Sequence, residues 1–487
     1  MPNDEAYGVI ANDTPLDTFI PDDFTDVGQG YVLANAYKHK LRYCEGLKWL
    51  VYRDGVWEPS ETSAQGFSQR LTDLQILEAR EISLTVALSQ RASTGKLIPV
   101  DMSQEKDDAV KYLDYALSRR STARISATLK EATPRLFIPT SALDNDPLIL
   151  NTPDGEVRLD TGEITPHNPE HFITHIASCA PSDQGADIWK CFLEQISCND
   201  KELQHFLKQI VGMAAIGKVY EERLIIAVGN GGNGKSTFFN AIRDVLGDYA
   251  CSIRSELFIS NNDSGKKFEY GNLRGKRFAV AEELEESKQL DTAAVKHLCS
   301  TGDINAQFKG KDIFTFKPTH TTVLCTNHMP SVKVIDNGTW DRLIVIPFNG
   351  RFRNTGNEVK NYGGYLVENC GGAILNWIIE GAQEYVRNDY KLIIPDCITQ
   401  AMKQYQDDND WMAEFFDKYL VIDGEQNAYG SDIYSAYEEY CRERGEIKQS
   451  MTTVLPMVAS KANIVKRRSN KGILYPGIGI KSKDLSS

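Results

Sequence analysis

The sequence RLIIAVGNGGNGKSTFFNAIRDVLG occupies residues 223–247 and combines three local patterns. Its apolar first part is typical of a buried strand, and the part from Lys235 onward has the pattern of a helix closed by a glycine. The motif G-x-x-x-x-G-K-[ST] between them is formed by Gly229, Gly234, Lys235 and Ser236. Glycines let consecutive backbone N–H groups turn toward one anion, and a helix N-terminus after a strand favours phosphate. The stretch therefore predicts a phosphate-binding loop in an α/β fold.

Each residue of this loop has an expected contact. Lys235 is expected to be an exposed charge that neutralises the β- and γ-phosphates of a nucleotide, and Ser236 is expected to hold Mg²⁺. A Gly/Asn-rich surface turn is the alternative, but the order of strand, loop and helix disfavours it. The residues expected to contact the nucleotide are Gly229, Asn230, Gly231, Gly232, Asn233, Gly234, Lys235, Ser236 and Thr237.

Length and charge limit the possible classes of protein. The chain has 487 residues and a formal net charge of -13, and this length suggests about three domains. Residues 1–30 hold seven Asp/Glu and no Lys/Arg, whereas residues 461–487 hold seven Lys/Arg and one Asp. A basic tail on an acidic body suggests a local surface for anions. The ten cysteines form no C-x-x-C pair, and there is no signal peptide or apolar span, so we expect a reduced, cytoplasmic protein without a membrane partner.

Upstream of the glycine-rich loop, the pattern predicts a mixed region of helices and short strands. Residues 48–60, KWLVYRDGVWEPS, predict a hairpin around the Asp-Gly pair, with Trp49 and Trp57 packed together in the core. Residues 61–135 have a helical pattern, and Pro/Asp/Gly turns in residues 147–175 separate short strands.

Two groups of side chains in this region resemble metal ligands. The acidic group stands in a turn before Pro147, and Pro166 and Pro169 break the helix that would align the histidines. We therefore expect no metal site at Asp144, Asn145 and Asp146 or at His167, His171 and His175.

A second apolar strand ends in two carboxylates. The sequence KRFAVAEELEE, residues 276–286, runs from the strand into Glu282 and Glu283. A hydrolytic nucleotide site needs one acid at the Mg²⁺ and a second that polarises the attacking water. We assign Glu282 to the metal and Glu283 to the water. The alternative is the acidic start of a helix, because two more glutamates follow.

A third apolar strand, HTTVLCTNHMP in residues 320–330, ends at Asn327. An amide level with the phosphates can orient water on the γ-phosphate, although an asparagine before Met-Pro is equally an ordinary turn residue. The order of the three strands favours the first interpretation.

Arg342 stands in DNGTWDRLIVIPF, residues 336–348. An isolated arginine is usually a surface salt-bridge residue. The competing interpretation is an arginine finger that reaches the γ-phosphate of a neighbouring subunit, which requires a ring.

A basic hairpin is predicted between the second and third strands. In AQFKGKDIFTFKP, residues 306–318, Phe308, Lys309 and Lys311 lie at a turn between two stretches of strand character. Inside a ring pore such a tip would grip a nucleic-acid backbone. An ordinary hairpin with a solvated turn is the alternative.

The C-terminal residues predict a helix, a second helix and a hairpin, the order of a small winged helix. SDIYSAYEEYCRERG begins with Ser431 as the expected N-cap, and SMTTVLPMVASK is the second helix. The hairpin in NIVKRRSNKGILYPGIGI would display Lys466, Arg467, Arg468 and Lys471.

The order of these motifs resembles that of the superfamily 3 helicases, and within them the phage, plasmid and poxvirus-type primase-helicases. The resemblance is carried by GNGGNGKST, FAVAEE, the KGK hairpin, LCTN and WDRLIVIPF. Segments from Thr25 onward look like the helicase-associated domain of that family, so the resemblance covers nearly the whole chain.

The resemblance implies a fold of three parts. Residues 186–390 would form an α/β motor core, an AAA+-like parallel sheet with a phosphate loop and flanking helices. Residues 1–185 would form an α+β helicase-associated domain, and residues 391–487 linker helices and a winged helix. ATP and Mg²⁺ would be the cofactors, with the roles carried by Lys235 and Ser236 (phosphate and metal), Glu282 and Glu283 (second motif), Asn327 (sensor), Arg342 (finger), and Lys309 and Lys311 (pore hairpin).

The implied function is an ATP-dependent, homo-hexameric DNA helicase that replicates a phage, plasmid or mobile genetic island. It would move 3′ to 5′ on single-stranded and forked DNA, and its tail would suit an initiator that binds duplex origin DNA. The alternatives are a ring ATPase that moves another polymer, such as a packaging motor, and a monomeric nucleotide kinase. Two departures matter. Asp341 stands where many relatives have the first of two arginines, which leaves Arg342 as the candidate finger. The sequence has no primase-type acid pair with a following Ser/His motif, so we expect no primase activity in this chain and primers from a separate primase or from the host's primase.

Overall fold

The first part of the chain folds as two small sheets with long helices. The computed structural model describes residues 18–93, 103–259, 263–282, 289–307, 313–332, 337–352, 360–444 and 448–481. The elements of the first part are α1 (Asp26–Tyr37), β1 (Leu41–Cys44), β2 (Lys48–Arg53), β3 (Val56–Pro59), α2 (Glu61–Ser93), α3 (Ser103–Ser118), α4 (Thr122–Leu136), β4 (Phe137–Ile138), β5 (Ile149–Thr152), β6 (Gly155–Arg158) and β7 (Ile164–Thr165).

The predicted hairpin is confirmed as β2 and β3, but its two tryptophans lie on opposite faces. Tyr52 is paired with Trp57, and because side chains alternate along a strand, Trp49 points to the other face. Trp49 packs in the core beneath α1, α2 and α4. Trp57 packs with Leu50 in a second cluster and donates its indole N–H to Pro169 O at 2.8 Å. The expectation that the two tryptophans pack together is therefore wrong.

The middle part alternates strands and helices. Its elements are α5 (Ala186–Ile196), α6 (Lys201–Ala215), β8 (Leu224–Val228), α7 (Lys235–Leu246), β9 (Ala250–Arg254), α8 (Asp263–Gly271), β10 (Phe278–Glu282), α9 (Thr292–Cys299), β11 (Ile304–Gln307), β12 (Ile313–Phe316), β13 (Thr321–Thr326), α10 (Asn337–Trp340), β14 (Leu343–Pro347) and α11 (Tyr362–Arg387).

Five of these strands form one parallel sheet in the order β14-β8-β13-β10-β9. Alternate residues of β8 enter two separate cores: Ile225 packs with α6, α7 and α11 on one face, and Leu224 packs with α8 and α9 on the other. A strand buried on both faces must be apolar throughout, which explains the continuous LIIAV run. The predicted parallel sheet with flanking helices is confirmed.

The strand order determines what can meet at the edge of the sheet. In a parallel sheet all carboxyl ends lie on one side, and the following loops gather there. Because β13 lies between β8 and β10, the residue after β13 is next to the glycine-rich loop, and the end of β10 is one strand farther away.

The last part is a small α+β unit with an aromatic core. The helix α12 (Asp396–Asp408) precedes this unit and packs against the middle part of the chain through Ile398 and Tyr405. The elements of the unit are α13 (Trp411–Tyr419), β15 (Leu420–Tyr429), α14 (Gly430–Arg444), α15 (Met451–Lys461), β16 (Arg467–Ser469) and β17 (Gly472–Ile480). The three strands form a sheet in the order β15-β17-β16. The two helices and the hairpin are confirmed. Ser431 is the second residue of α14 rather than its N-cap, because the helix begins at Gly430.

Among the described residues, none of the helices combines the length and the apolar character that crossing a membrane requires.

Candidate nucleotide-binding site

The glycine-rich loop between β8 and α7 has a backbone that requires glycine. Gly231, Gly232 and Gly234 have φ angles of 83°, 64° and 83°, in the left-handed region that other residues avoid. A Cβ on Gly234 would lie 2.5 Å from Ile196 Cγ2 of α5. The loop is therefore specified both by its own conformation and by its contact with α5.

Lys235 is the first residue of α7 and is only 5% exposed. Its ammonium group donates to Gly229 O at 3.2 Å and to Asn327 Oδ1 at 2.5 Å. The expectation of an exposed lysine is thus wrong, because the side chain folds back into the curve of the loop. This position puts the charge between the start of the loop and the end of β13.

The loop is braced by the chain that follows β14. Asn233 is buried, and its amide donates to Phe348 O at 3.1 Å. Phe348 N–H donates to Val228 O, and Phe352 N–H donates to Gly232 O, each at 2.8 Å. The Asn233 side chain therefore holds the shape of the loop, a role that the motif does not reveal.

Glu282 is the last residue of β10, and its side chain is exposed at the carboxyl edge of the sheet. Its Oε1 accepts a hydrogen bond at 2.5 Å from the amide of Asn240, which lies on α7. Asn240 is not among the site residues predicted from the sequence. Its only signal is an asparagine, a poor helix former, in the middle of a helix.

Cys325 lies on β13, between the strand that ends at Glu282 and the strand that leads into the glycine-rich loop. It is paired with Glu282 on β10 and with Ala227 on β8. The pKa of the Cys325 thiol is raised to about 12, mainly by burial and to a smaller extent by Glu282, while Lys235 opposes the rise. The Cys325 thiol is therefore neutral near pH 7.

Asn327 is the first residue after β13, where its side chain accepts from Lys235. Lys235, Glu282 and Asn327 thus all lie at the carboxyl edge of the sheet. Among the described residues no three His, Cys, Asp or Glu side chains form a metal-binding group. A cation here would depend on the Ser236 hydroxyl, the Glu282 carboxylate and oxygens of a ligand, a donor set that fits Mg²⁺ bound with phosphate.

Arg342 lies at the opposite edge of the same sheet. It precedes β14, and its carbonyl accepts from Leu224 N at the start of β8. The five residues of β8 separate it from the glycine-rich loop, a distance of about 16 Å at strand rise. Its guanidinium pairs with Glu222 and donates to Gly338 O at 2.5 Å. It cannot contact the loop of its own chain.

Four of the predicted site residues lie outside the described part of the chain: Glu283, Phe308, Lys309 and Lys311. The strands around the predicted basic turn are described, and β11 and β12 form an antiparallel pair in which Ile304 faces Phe316. The hairpin itself is therefore confirmed, and the role of its tip stays a prediction.

The four basic residues of the C-terminal hairpin are exposed. Arg467 and Arg468 belong to β16, and Lys466 and Lys471 flank it. Ion pairs to these four side chains are absent from the described residues. The hairpin therefore presents a positive surface on an acidic protein.

Two protein-family models match parts of this chain. The family described as "D5 N terminal like" matches residues 30–198. A family of unknown function matches residues 227–342, which contain the glycine-rich loop, β10, β13 and Arg342.

Curated viral proteins are similar over much longer stretches. A protein of Acanthamoeba polyphaga mimivirus, provisionally named helicase L207/L206, is 23% identical over 466 residues, covering 88% of this chain and 47% of its own length. A protein of African swine fever virus, provisionally named primase C962R, is 24% identical over 347 residues, covering 66% of this chain and 36% of its own. The chain thus spans less than half the length of these relatives.

The solved C-terminal region of NrS-1 has 12% sequence identity and a TM-score of 0.40, over 62% of this chain and 78% of that one. A TM-score this low does not support an inference about the fold. The D5-like match and the viral relatives support a relationship to the D5-like primase-helicases.

Proposed function

We propose that this chain is an ATP-dependent DNA helicase of the superfamily 3 type that acts in replication. The observation that carries the proposal is that Lys235, Asn327 and Glu282 lie at the same edge of a parallel sheet. In this sheet β13 lies between β8 and β10. This edge offers a phosphate loop, a polar amide and a carboxylate to one nucleotide. The names of the viral relatives favour replication over other ATP-driven work.

In the proposed reaction, the phosphates of ATP bind the backbone N–H groups of the loop. Lys235 leaves Asn327 Oδ1 to contact the γ-phosphate, which frees the Asn327 amide to orient the attacking water. Glu282 and Ser236 are the residues that would hold Mg²⁺, which when bound neutralises charge on the phosphate oxygens. Glu283 is proposed to polarise the water.

The active form is proposed to be a homo-hexameric ring with an AAA+-like core in residues 186–390. Residues 1–185 would be the helicase-associated domain, and residues 391–487 the linker and a winged helix. Lys309 and Lys311 would hold single-stranded DNA in the pore, and Lys466, Arg467, Arg468 and Lys471 would contact duplex DNA. Movement from 3′ to 5′, a separate primase, and a phage, plasmid or mobile island as the element belong to the same proposal.

The test is ATP hydrolysis measured alone, with single-stranded DNA, and with a forked duplex whose unwinding is followed by fluorescence. We expect stimulation by single-stranded DNA and unwinding of the fork, and loss of both in Lys235→Ala. Stimulation by duplex DNA without unwinding would indicate a packaging-type motor. Phosphoryl transfer to a nucleotide by a particle near 54.5 kDa would indicate a kinase. Either result would contradict the proposal that this chain is a helicase.

The same preparation tests the C-terminal hairpin. The double variant Arg467→Ala/Arg468→Ala should weaken duplex binding and reduce the slope of log K against log salt by about one unit for each phosphate that is no longer neutralised. Its unwinding of a preloaded fork should be unchanged. An unchanged slope of log K against log salt would show that Arg467 and Arg468 do not contact DNA phosphates.

A further inference from the structure

Helix α7 carries a second polar group toward the same edge of the sheet. About one and a half turns after Lys235, the amide of Asn240 donates from Nδ2 to Glu282 Oε1 at 2.5 Å. Arg243, one turn farther, donates from Nη1 to Asn240 Oδ1 at 2.9 Å. The helix that begins at the glycine-rich loop therefore also contacts the carboxylate at the end of β10.

Arg243 is itself held from two sides. Its Nη1 donates to Ser252 Oγ on β9 at 2.9 Å, and its Nε donates to Asp244 Oδ1 at 2.8 Å. The hydrogen bonds thus run without a gap from β9 through α7 to the end of β10.

This chain of bonds determines which way the Asn240 amide faces. An arginine can only donate, so the oxygen of Asn240 faces Arg243 and its NH₂ group faces Glu282. A glutamine or an aspartate at 240 would change the length or the charge of that contact. The arrangement supplies one donor to a carboxylate that the backbone leaves exposed.

We propose that Asn240, oriented by Arg243, is a positioning residue for Glu282 at the Mg²⁺ site. An exposed glutamate samples several rotamers, whereas a bond at Oε1 restricts the carboxylate and leaves Oε2 for a cation. Partners of this kind around a metal typically change its affinity by about 10- to 100-fold. The inference rests on the proposed function, because it assigns Glu282 to the metal.

The test is the Mg²⁺ concentration that half-saturates binding of a fluorescent, non-hydrolysable ATP analogue to the full chain. Asn240→Ala should need about 10- to 100-fold more Mg²⁺, with unchanged affinity for the analogue in EDTA. Alanine is a better helix former than asparagine, so α7 is retained. Asn240→Leu, which preserves more of the side-chain volume, should shift the requirement in the same direction. Asn369→Leu is the matched control, because within the described part of the chain that amide donates to Tyr365 O of its own helix and to no other group.

A double-mutant cycle separates positioning from a general structural effect. If Asn240 acts through Glu282, then Asn240→Ala should add no further shift in a Glu282→Gln background. A wild-type Mg²⁺ curve in Asn240→Ala, or full additivity with Glu282→Gln, would overturn the inference while leaving the proposed function intact. If the wild-type chain binds the analogue without any dependence on Mg²⁺, the proposed Mg²⁺ site is wrong, and the role of Asn240 at that site is wrong with it.

Discussion

At the scale of single residues, His320 is an ionisable group that folding forces into one protonation state. It immediately precedes β13 and is 2% exposed. Burial lowers the pKa of His320 to about 4, against a smaller opposite effect from the backbone of Leu298. The folded protein therefore holds a neutral imidazole at pH values where an unfolded chain would already bind a proton.

This burial predicts a loss of stability in mild acid. The pKa of a histidine in an unfolded chain is near 6.5. Below that pH the imidazole binds a proton in the unfolded chain but stays neutral in the folded chain. The free energy of unfolding should fall as the pH drops from about 6.5 to about 4, by about 3 kcal/mol in total. Urea unfolding of the wild type and His320→Gln over this range measures it. Parallel pH dependences of the two proteins would contradict the prediction.

The backbone of the glycine-rich loop could be predicted from the sequence because its local geometry leaves little alternative. Gly231, Gly232 and Gly234 have positive φ, and a motif can express that requirement. Asn240 could not be found in this way. Its contact with Glu282 depends on α7 packing against β10, and nothing in the neighbouring sequence encodes that contact.

At the scale of elements, Arg277 joins the five-stranded parallel sheet to the first part of the chain. It directly precedes β10, is 4% exposed, and donates to Ala215 O and to Ile149 O, each at 2.7 Å. Its guanidinium lies 4.4 Å from the centre of the Tyr249 ring, and burial lowers its pKa. One side chain thus connects β10, α6 and β5.

Replacing Arg277 should loosen this junction. Arg277→Met keeps much of the volume but leaves two buried carbonyls without donors, at about 1–3 kcal/mol each, partly offset by removal of a buried charge. Arg277→Lys should be as destabilising as Arg277→Met. A lysine keeps the buried charge but lacks the planar guanidinium that donates to both carbonyls. We expect a lower thermal midpoint and faster protease cleavage in residues 140–180. Arg254→Met, at an exposed arginine, is the control; equal effects at both sites would contradict the role of Arg277.

The elements show which strands a sequence can reveal. The strands β8, β10 and β13 were visible because strands buried on both faces are apolar throughout. The edge strand β9, ACSIR, and the mostly exposed β15 lack that signal and were missed. The order β14-β8-β13-β10-β9 depends on crossovers between distant segments, so it required the structure.

At the scale of the whole molecule, the two edges of the sheet carry different groups. Lys235, Glu282 and Asn327 lie at the carboxyl edge, and Arg342 at the amino edge. In a single chain Arg342 pairs with Glu222. Burial alone would raise the pKa of Glu222, but the backbone N–H of Thr301 and the Arg342 guanidinium lower it. A salt-bridge arginine and a finger at rest would have this same appearance.

Arg342→Ala distinguishes these two roles when it is compared with Glu222→Gln, which breaks the same ion pair but keeps the arginine. A finger predicts that Arg342→Ala binds nucleotide and loses about 10³- to 10⁵-fold in hydrolysis, whereas Glu222→Gln remains active. A structural salt bridge predicts that both variants lose thermal stability by similar amounts and keep similar activity.

Mixed rings test whether the arginine acts across a subunit boundary. Arg342→Ala has an intact glycine-rich loop, and Lys235→Ala has an intact arginine at the other edge of its sheet. Because about 16 Å separate the two groups within one chain, a finger must serve the loop of a neighbour. Mixing the two inactive proteins should therefore restore part of the ATPase activity, in proportion to the interfaces that pair a wild-type loop with a wild-type arginine. Native mass spectrometry establishes that the rings are mixed. If mixed rings form and hydrolysis stays at the level of the separate variants, Arg342 acts only within its own chain, and the catalytic arginine must be another residue.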